Sequence, residues 1–341
     1  MKVITFGEIL LRLAAPGYTK LFQKDSLDST FCGGEANVAV SLSIFGLESC
    51  FVTKLPDNDV GHAAVNSIRY FGVDTSDVVY GDGRMGLYYL EKGASQRPSK
   101  VIYDREFSAI AMAKREDFDW DKIFDGADWF HWTGINPALS DELAVICEDA
   151  CRVAKAKGIM ISCDLNYRGK LWSPEKAQRI MKPLLKYVDV CICNEEDAEK
   201  VLGIEAPDTD VESGELSKAG YVHTAEMIYS YYGCKYVATT LRKSYSASRN
   251  GWSAMLYDAE ALESYFGNEY DIQIVDRVGG GDSFAAGLIY AMTQKMECQD
   301  AIEFATAASC LKHTIEGDYN RTTVEDVNSI LKSGGNGRVQ R

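Results

Sequence analysis

Short apolar segments alternate with helical segments along most of the chain. Strands that are apolar on both faces need cover on both, which favours a parallel sheet between two layers of helices. The alternation therefore predicts an α/β fold with a mainly parallel central sheet. The predicted strands are 2–7, 50–54, 129–132, 160–164, 188–193 and 236–240. The predicted helices are 36–45, 61–71, 141–157, 174–186, 195–202, 225–232, 281–293, 298–311 and 324–331.

Two segments, residues 11–31 and 87–104, interrupt this alternation. Both alternate polar and apolar side chains and contain turn residues, which is typical of antiparallel strands. We expect them to form a small separate sheet. A chain of 341 residues with 46% hydrophobic content can bury one large core. We therefore expect one domain over residues 1–332, followed by a disordered Gly- and Arg-rich tail over residues 333–341.

The chain is strongly acidic, with 36 Lys and Arg against 50 Asp and Glu and a net charge of −14. This balance argues against nucleic acid or an anionic membrane as a partner. No apolar run approaches the ~18 residues of a membrane-spanning helix, and Met1-Lys2 leads into a strand without the features of a signal peptide. The ten cysteines form no Cys-x-x-Cys pair, so we expect reduced, buried thiols in a cytoplasmic protein.

Three glycines followed by an acid provide the first signal for function. Residues 276–282 read Asp-Arg-Val-Gly-Gly-Gly-Asp, and an alanine-rich helix follows. Gly279, Gly280 and Gly281 allow a tight turn that leaves N–H groups open to a ligand, and the helix N-terminus adds its positive dipole. This pattern predicts an anion hole. Asp282 at its edge could be a general base or a helix N-cap, and the local pattern favours neither role.

A second glycine motif lies near the N-terminus. Residues 31–46 read as a strand end, Gly-Gly, and then a helix of small and apolar residues that contains Asn37. The two motifs together resemble the two signatures of the ribokinase/PfkB family of carbohydrate kinases, Gly-Gly-x-x-x-Asn or a close variant and Asp-x-x-Gly-Ala-Gly-Asp-x-Phe. Their order and separation also match, and the resemblance extends from Lys2 to about Leu331. Gly280 replaces the alanine of the second signature.

This resemblance implies a fold, an activity and a set of partners. The implied fold is ribokinase-like, with helices on both faces of the main sheet and a small β-sheet lid formed by residues 11–31 and 87–104. The implied activity is ATP-dependent phosphorylation of a sugar hydroxyl, with Asp282 as the base and Mg²⁺ as cofactor. Some relatives also bind a monovalent cation at positions matching Asp276 and Val278. Lids of such proteins often pair between subunits, so we expect a homodimer or a higher homo-oligomer.

Within this family, the 2-keto-3-deoxygluconate kinase branch is the most similar. The resemblance implies substrate contacts from Gly34, Asn37, Tyr88, Tyr103, Arg105, Ile135, Arg168 and Asp318. Arginine binds a carboxylate through two parallel hydrogen bonds, which suits a sugar acid. We therefore expect transfer of phosphate to the primary hydroxyl of a sugar acid, most simply 2-keto-3-deoxygluconate to its 6-phosphate.

The nucleotide side matches the family less well. The resemblance implies nucleotide contacts from Asn166, Arg168, Asn194, Thr240, Arg242, Gly279 and Gly281. It also implies a magnesium site, held through water, at Asn194 and Asp197, where the family has Asn-x-x-Glu. Asp197 is one methylene shorter than Glu, so Glu195 or Glu196 could replace it, and an acidic first turn of a helix would need the same residues. The glycines that follow the matching threonine in the family are missing here until Gly251.

Three alternatives remain open at this stage. A fructokinase or related ketose kinase would share most of these motifs. A relative without catalytic activity could serve as a sugar sensor, although Asp282 and both glycine motifs are intact. A dinucleotide-dependent dehydrogenase is disfavoured because no Gly-x-Gly-x-x-Gly follows the first strand, where residues 6–9 read Phe-Gly-Glu-Ile.

Overall fold

The computed structural model describes residues 1–205 and 217–333. Within them the strands are β1 Lys2–Phe6, β2 Leu10–Ala14, β3 Asp28–Cys32, β4 Glu48–Val52, β5 Lys54–Pro56, β6 Val79–Gly81, β7 Leu87–Glu91, β8 Lys100–Asp104, β9 Trp129–Thr133, β10 Met160–Asp164, β11 Val190–Cys193, β12 Tyr236–Ser246, β13 Arg249–Asp258, β14 Glu263–Phe266 and β15 Tyr270–Gln273. Of the predicted tail over residues 333–341, Ser333 ends α11 and the rest lies outside the described residues.

The helices of the described residues include every one that the sequence predicts. They are α1 Gly34–Ile44, α2 Asp59–Arg69, α3 Trp120–Ile123, α4 Ile135–Leu139, α5 Asp141–Ala156, α6 Pro174–Leu185, α7 Glu195–Asp197, α8 Lys218–Tyr232, α9 Gly280–Thr293, α10 Cys298–Lys312 and α11 Val324–Ser333. A π-helical turn, Ala198–Leu202, continues α7, and a 3₁₀ turn covers Arg115–Asp117. No helix in the described part of the chain combines the length and the apolar character needed to cross a bilayer.

The main sheet has nine strands in the order β14-β13-β12-β11-β10-β9-β1-β4, with β15 also paired to β13. The six strands from β12 to β4 run parallel to one another. Antiparallel pairs add β13, β14 and β15 at one edge. The predicted mainly parallel sheet is therefore confirmed, and the antiparallel extension is a feature that the sequence analysis missed.

Side chains of the parallel strands alternate between two cores, as the period of a strand requires. On one face, Phe6 and Cys193 pack with α5, α6 and α8. On the other face, Val3 and Ile192 pack with α1, α9, α10 and α11. The expected two-sided helical cover is thus present. All ten cysteines are free thiols, and nine of them are buried.

A second, four-stranded sheet has the order β3-β2-β7-β8, and we call it the lid sheet. Its strands lie within or next to the two predicted segments. The pairs β2–β3 and β7–β8 are antiparallel, as expected, but β2 and β7 pair in parallel. The lid sheet is therefore two hairpins joined along their inner strands, which places β3 and β8 at its edges.

Candidate active site

The carboxyl ends of the parallel strands meet the start of α9 in a cleft of about 370 Å³. Ligands of open α/β sheets commonly bind at this edge. The lining comes from the segments that follow β10 and β11, from β12, and from residues 277–282. Its polar members are Asp164, Asn166, Arg168, Asn194, Glu195, Glu196, Asp197, Thr240, Arg242, Arg277 and Asp282.

The three glycines build the floor of this cleft. Gly279 has a φ of 83°, in the left-handed region, and a Cβ there would lie 2.1 Å from the carbonyl oxygen of Asp318. No other residue fits that position. Gly280 opens α9, whose first N–H groups have no intrahelical partners. Gly281 is exposed to the cleft, with no atom within 4 Å of its would-be Cβ. The turn and the helix start together form the geometry of an anion hole.

Asp282 lies at the third position of α9 and does not cap the helix, because Gly279 is the N-cap. Its Oδ2 instead accepts a hydrogen bond of 2.7 Å from Nδ2 of Asn37. A Cβ on Gly34 would lie 3.5 Å from Oδ1 of Asp282. The two glycine motifs, some 245 residues apart, therefore meet at one carboxylate, and the N-cap interpretation is wrong.

The surroundings of Asp282 make its carboxylate more basic than usual. Burial raises the pKa of Asp282 to about 6, against the opposing effects of the Asn37 hydrogen bond and the charges of Arg168 and Lys312. The neighbouring negative charge of Asp318 adds to the increase. A pKa in this range lets a carboxylate be unprotonated at neutral pH and still accept a proton readily.

Two further acids near Asp282 resist ionisation. Burial raises the pKa of Glu35 to about 7, although the N–H of Thr133 donates to its Oε1 at 3.0 Å. Burial and the charges of Asp197 and Asp282 raise the pKa of Asp164 well above its usual range. Glu35 and Asp164 therefore reduce the negative charge that an incoming anion would meet.

Three arginines give the cleft its positive charge. The guanidinium of Arg168 donates only to the carbonyl of Tyr167, at 2.8 Å, and forms no ion pair among the residues that the structure describes. Arg277 donates to the carbonyl of Ala247, and Arg242 is exposed. Guanidinium groups without carboxylate partners are available for phosphate or carboxylate oxygens.

Asn194 and Asp197 cap helix α7 reciprocally. Oδ1 of Asn194 accepts from the N–H of Asp197 at 2.9 Å, and Oδ2 of Asp197 accepts from the N–H of Asn194 at 3.1 Å. Oδ1 of Asp197 also accepts from the N–H of Tyr167. The described residues contain no group of three or more His, Cys, Asp or Glu side chains that could hold a metal ion. A metal here would depend on water and on a ligand's own oxygens.

A second cleft, of about 470 Å³, lies between β8 of the lid sheet and the loop after β10. Tyr103, Arg105 and Arg168 line it, and Arg168 also lines the first cleft. Arg105 is buried, and both its Nε, at 2.7 Å, and its Nη2 bond Oε2 of Glu8. Its guanidinium lies 5.0 Å from the ring centre of Tyr103. The structure thus brings these three predicted residues together but pairs Arg105 with an acid.

The remaining predicted substrate residues line neither cleft. The hydroxyl of Tyr88 donates to Oδ2 of Asp318 at 2.7 Å, and both side chains are buried beneath the lid sheet. Ile135 begins α4 directly after β9. Gly34 and Asn37, by contrast, lie beside Asp282. The predicted substrate residues therefore fall into three groups. Gly34 and Asn37 lie beside Asp282, and Tyr103, Arg105 and Arg168 line the cleft at the lid sheet. Tyr88 and Asp318 are buried below that sheet.

Several residues that organise the site were missed. Arg12 of β2 bonds Asp318 and, at 2.6 Å, Oδ2 of Asp276. Glu8 directly follows the β1–Gly7 turn and accepts from Ser108 at 2.6 Å as well as from Arg105. A charged residue two positions beyond a buried strand is a signal that could have singled out Glu8. For Arg12, in a strand with alternating burial, no local signal exists.

Comparisons with known proteins agree with this geometry. The profile described as "pfkB family carbohydrate kinase" matches residues 1–222 and 259–324. A crystal structure of 2-dehydro-3-deoxygluconokinase from Thermotoga maritima is 52% identical, with a TM-score of 0.94 over 97% of this chain and 99% of that one. A PfkB family carbohydrate kinase structure from Listeria grayi is 34% identical, with a TM-score of 0.90 over 97% and 100%.

A curated relative points the same way. The 2-dehydro-3-deoxygalactonokinase of Haloferax volcanii is 30% identical over 333 residues, which is 98% of this chain and 97% of the relative. The family profile, the full-length relatives and the meeting of both glycine motifs at Asp282 leave one conclusion. The chain belongs to the pfkB family of carbohydrate kinases.

Proposed function

We propose that the protein transfers the γ-phosphoryl group of ATP to the primary hydroxyl of 2-dehydro-3-deoxygluconate, also called 2-keto-3-deoxygluconate, giving the 6-phosphate. The observation that carries this proposal is the position of Asp282, beside an anion hole in a cleft whose Arg168 also lines the lid-side cleft. One cleft has the charges needed for phosphates, and the other continues towards the lid sheet. The names of the Thermotoga maritima and Haloferax volcanii relatives support a sugar acid as substrate.

Asp282 acts as the general base in this reaction. Its carboxylate takes the proton of the sugar hydroxyl while the hydroxyl oxygen attacks the γ-phosphorus, and the bond from that phosphorus to the ADP oxygen breaks. Asn37 holds the carboxylate through its 2.7 Å hydrogen bond. Because Gly34 has no side chain beside Oδ1, that oxygen stays open to the hydroxyl.

The turn of Gly279 to Gly281 stabilises the charge that develops on the transferring phosphoryl group. Preorganised N–H donors and a helix N-terminus at this point are the usual largest contribution in such a reaction. Arg168, Arg242 and Arg277 bind the remaining phosphate oxygens. Asn194 and nearby acids would hold Mg²⁺ through water beside the phosphates, and the bound ion would neutralise part of the phosphate charge.

The sugar carboxylate binds at the lid-side cleft. Arg168 is the main cation there, since it has no acidic partner in the described residues, while Arg105 shares its charge with Glu8. Tyr103 of β8 covers the sugar. Tyr88 and Asp318 support this wall from below through their mutual hydrogen bond.

The cytoplasm supplies ATP and keeps free thiols reduced, and we propose that the protein functions there.

A second candidate substrate is 2-dehydro-3-deoxygalactonate, because the Haloferax volcanii relative is named for it. The two sugar acids differ only in configuration at one carbon. A panel of both acids, fructose and ribose, assayed with Mg·ATP by ADP release, tests the proposal. We expect the highest kcat/KM for one of the two acids. Phosphorylation of fructose alone would identify a fructokinase instead.

We expect kcat/KM to decrease as pH falls through about 6, because Asp282 must be unprotonated to act and its pKa is about 6. The Asn37 hydrogen bond favours the charged form. Asn37→Ala should therefore raise the pKa and move the acid limb upward by about one pH unit. Ser43→Ala, on the same helix but bonded to the carbonyl of Phe71, is the matched control. If the acid limb of the pH profile does not move in Asn37→Ala, the hydrogen bond from Asn37 does not control the pKa of Asp282.

We expect Arg105→Ala to weaken phosphorylation of the sugar acid more than that of fructose. Loss of a charged partner for the carboxylate costs about tenfold to several hundredfold in kcat/KM. The variant also leaves the buried Glu8 carboxylate without its partner, and that negative charge would repel the sugar acid but not fructose. The ratio of the two kcat/KM changes gives the coupling energy. A ratio near one would mean that Arg105 serves Glu8 only, and Glu8→Gln with Arg105→Ala separates the two effects.

We also propose that the lid sheets of two subunits pair. Phe22 is 73% exposed and Phe107 is 69% exposed, and Ile102 lies on the edge strand β8. Exposed apolar groups beside an unpaired strand edge favour association. Light scattering should show at least a dimer, and a double change of Phe22 and Ile102 to Ser should dissociate it. Tyr70→Ser, at an exposed site on the end of α2, serves as control. A fully active wild-type monomer would contradict the proposal.

A further inference from the structure

Lys312, the last residue of α10, is completely buried. Its ammonium donates to the main-chain carbonyls of Asp276 and Ile315, both at 3.3 Å. It forms no ion pair with any carboxylate among the described residues. A buried ammonium without a paired carboxylate is rare in proteins. Here the dipoles of carbonyl groups take the place of water around the charge.

The nearest acids are occupied by other partners. The Asp276 carboxylate accepts from Arg12 at 2.6 Å and from the N–H groups of Val278 and Gly317, each at 3.2 Å. The Asp318 carboxylate accepts from Arg12 and Tyr88. Burial lowers the pKa of Lys312, while the negative charges of Asp276 and Asp318 oppose that change. These acids therefore favour the ammonium form without touching it.

Lys312 lies directly against the turn that forms the anion hole. A Cβ on Gly279 would be 3.2 Å from Cε of Lys312. The ammonium joins the turn at Asp276 to the segment that follows α10 at Ile315. Ser309, one turn earlier on α10, donates to the carbonyl of Gly280 at 2.7 Å. The end of α10 thus positions both sides of the glycine turn.

Carbonyl oxygens from two adjacent turns are also the donors that an alkali cation uses in proteins. An alkali ion bound to the carbonyls of Asp276 and Ile315 would lie close to the ammonium of Lys312. Two like charges this close in a buried setting repel each other strongly. The residues at this position therefore do not fit the monovalent cation that the resemblance suggested at Asp276 and Val278.

We propose that the ammonium of Lys312 takes the place of a monovalent cation beneath the anion hole, so that activity needs no added alkali ion. This inference rests on the proposed kinase function only for its kinetic readout. Lys312 is a positioning residue: it touches neither substrate, and it acts by holding the turn of Gly279 to Gly281.

The test compares wild type, Lys312→Ala and Lys312→Met in potassium, ammonium and choline chloride at constant ionic strength. Thermal unfolding and sugar-acid phosphorylation are both measured. Wild type should show the same Tm and the same kcat/KM in all three salts. Lys312→Ala leaves space for an ion, so it should lose about tenfold to a hundredfold in kcat and regain much of it with potassium or ammonium. Potassium should also raise its Tm by binding to the folded state.

Lys312→Met is the matched control, because methionine fills the space without a charge and leaves no room for an ion. Its loss should not respond to potassium. Activation or stabilisation of the wild-type enzyme by potassium would overturn the proposal. A folded Lys312→Ala with the same kcat and the same Tm in all three salts would also overturn it. If Lys312→Ala does not fold, the wild-type comparison still decides. If no sugar acid is phosphorylated, the proposed function fails while the Tm measurements remain decisive for Lys312.

Discussion

Replacing Asp282 with Asn should leave the fold and the nucleotide affinity unchanged and lower kcat by about 10²- to 10⁴-fold, the usual contribution of a positioned general base. The side-chain oxygen of Asn can still accept the hydrogen bond from Asn37, so the geometry around α9 is retained. Steady-state kinetics with the sugar acid and Mg·ATP measure the loss. Equal Tm values for variant and wild type show that the loss is chemical.

The sensor alternative predicts a different result for the same variant. A protein that binds sugar without catalysis would show no turnover before the change and an unaltered sugar affinity after it. If Asp282→Asn retains a kcat close to that of wild type, Asp282 is not the general base. The hydroxyl proton would then have to pass to another group near the anion hole.

The second large effect concerns the glycine turn. Gly281→Val should lower kcat/KM by about 10²-fold or more, because the isopropyl group enters the cleft where the phosphoryl group must lie. The fold should tolerate it, since no atom lies within 4 Å of the new Cβ and the backbone at Gly281 is not left-handed. Activity and nucleotide binding should therefore fall while Tm stays constant.

Gly279→Ala is the contrasting variant for this experiment. Its Cβ would lie 2.1 Å from the carbonyl of Asp318 on a backbone with a φ of 83°, so it should lower Tm as well as activity. The two variants, at glycines two residues apart, would then distinguish a steric block of the ligand from a disturbance of the turn. A drop in Tm for Gly281→Val equal to that for Gly279→Ala would contradict this division.

The sequence pattern predicted the parallel part of the main sheet well, because buried parallel strands have a distinctive composition. Runs such as residues 129–132 and 160–164 are short and mostly apolar, and β9 and β10 are found there. The strands β13 to β15 were missed because they follow one another without helices. A scheme based on strand and helix alternation has no place for such an antiparallel extension.

The proximity of Asp282, Gly34 and Asn37 was also predictable, since they belong to two local motifs that the resemblance brings together. The pairing of Arg105 with Glu8, 97 residues earlier in the chain, was not. The resemblance suggested the sugar acid as the partner of Arg105, and no local pattern places Glu8 beside it. The same holds for Arg12 and Lys312, whose roles depend on which turns the tertiary fold brings together.

The buried contacts of Arg12 limit how the lid sheet can move. Arg12 lies on the inner strand β2 and bonds both Asp276, which begins the segment leading to the anion hole, and Asp318. Swinging the whole sheet outward would separate these charges in a buried setting, at a cost of about 3–5 kcal/mol. The contacts of Arg12 therefore anchor β2, and with it the inner part of the lid sheet, to the segment that leads to the anion hole.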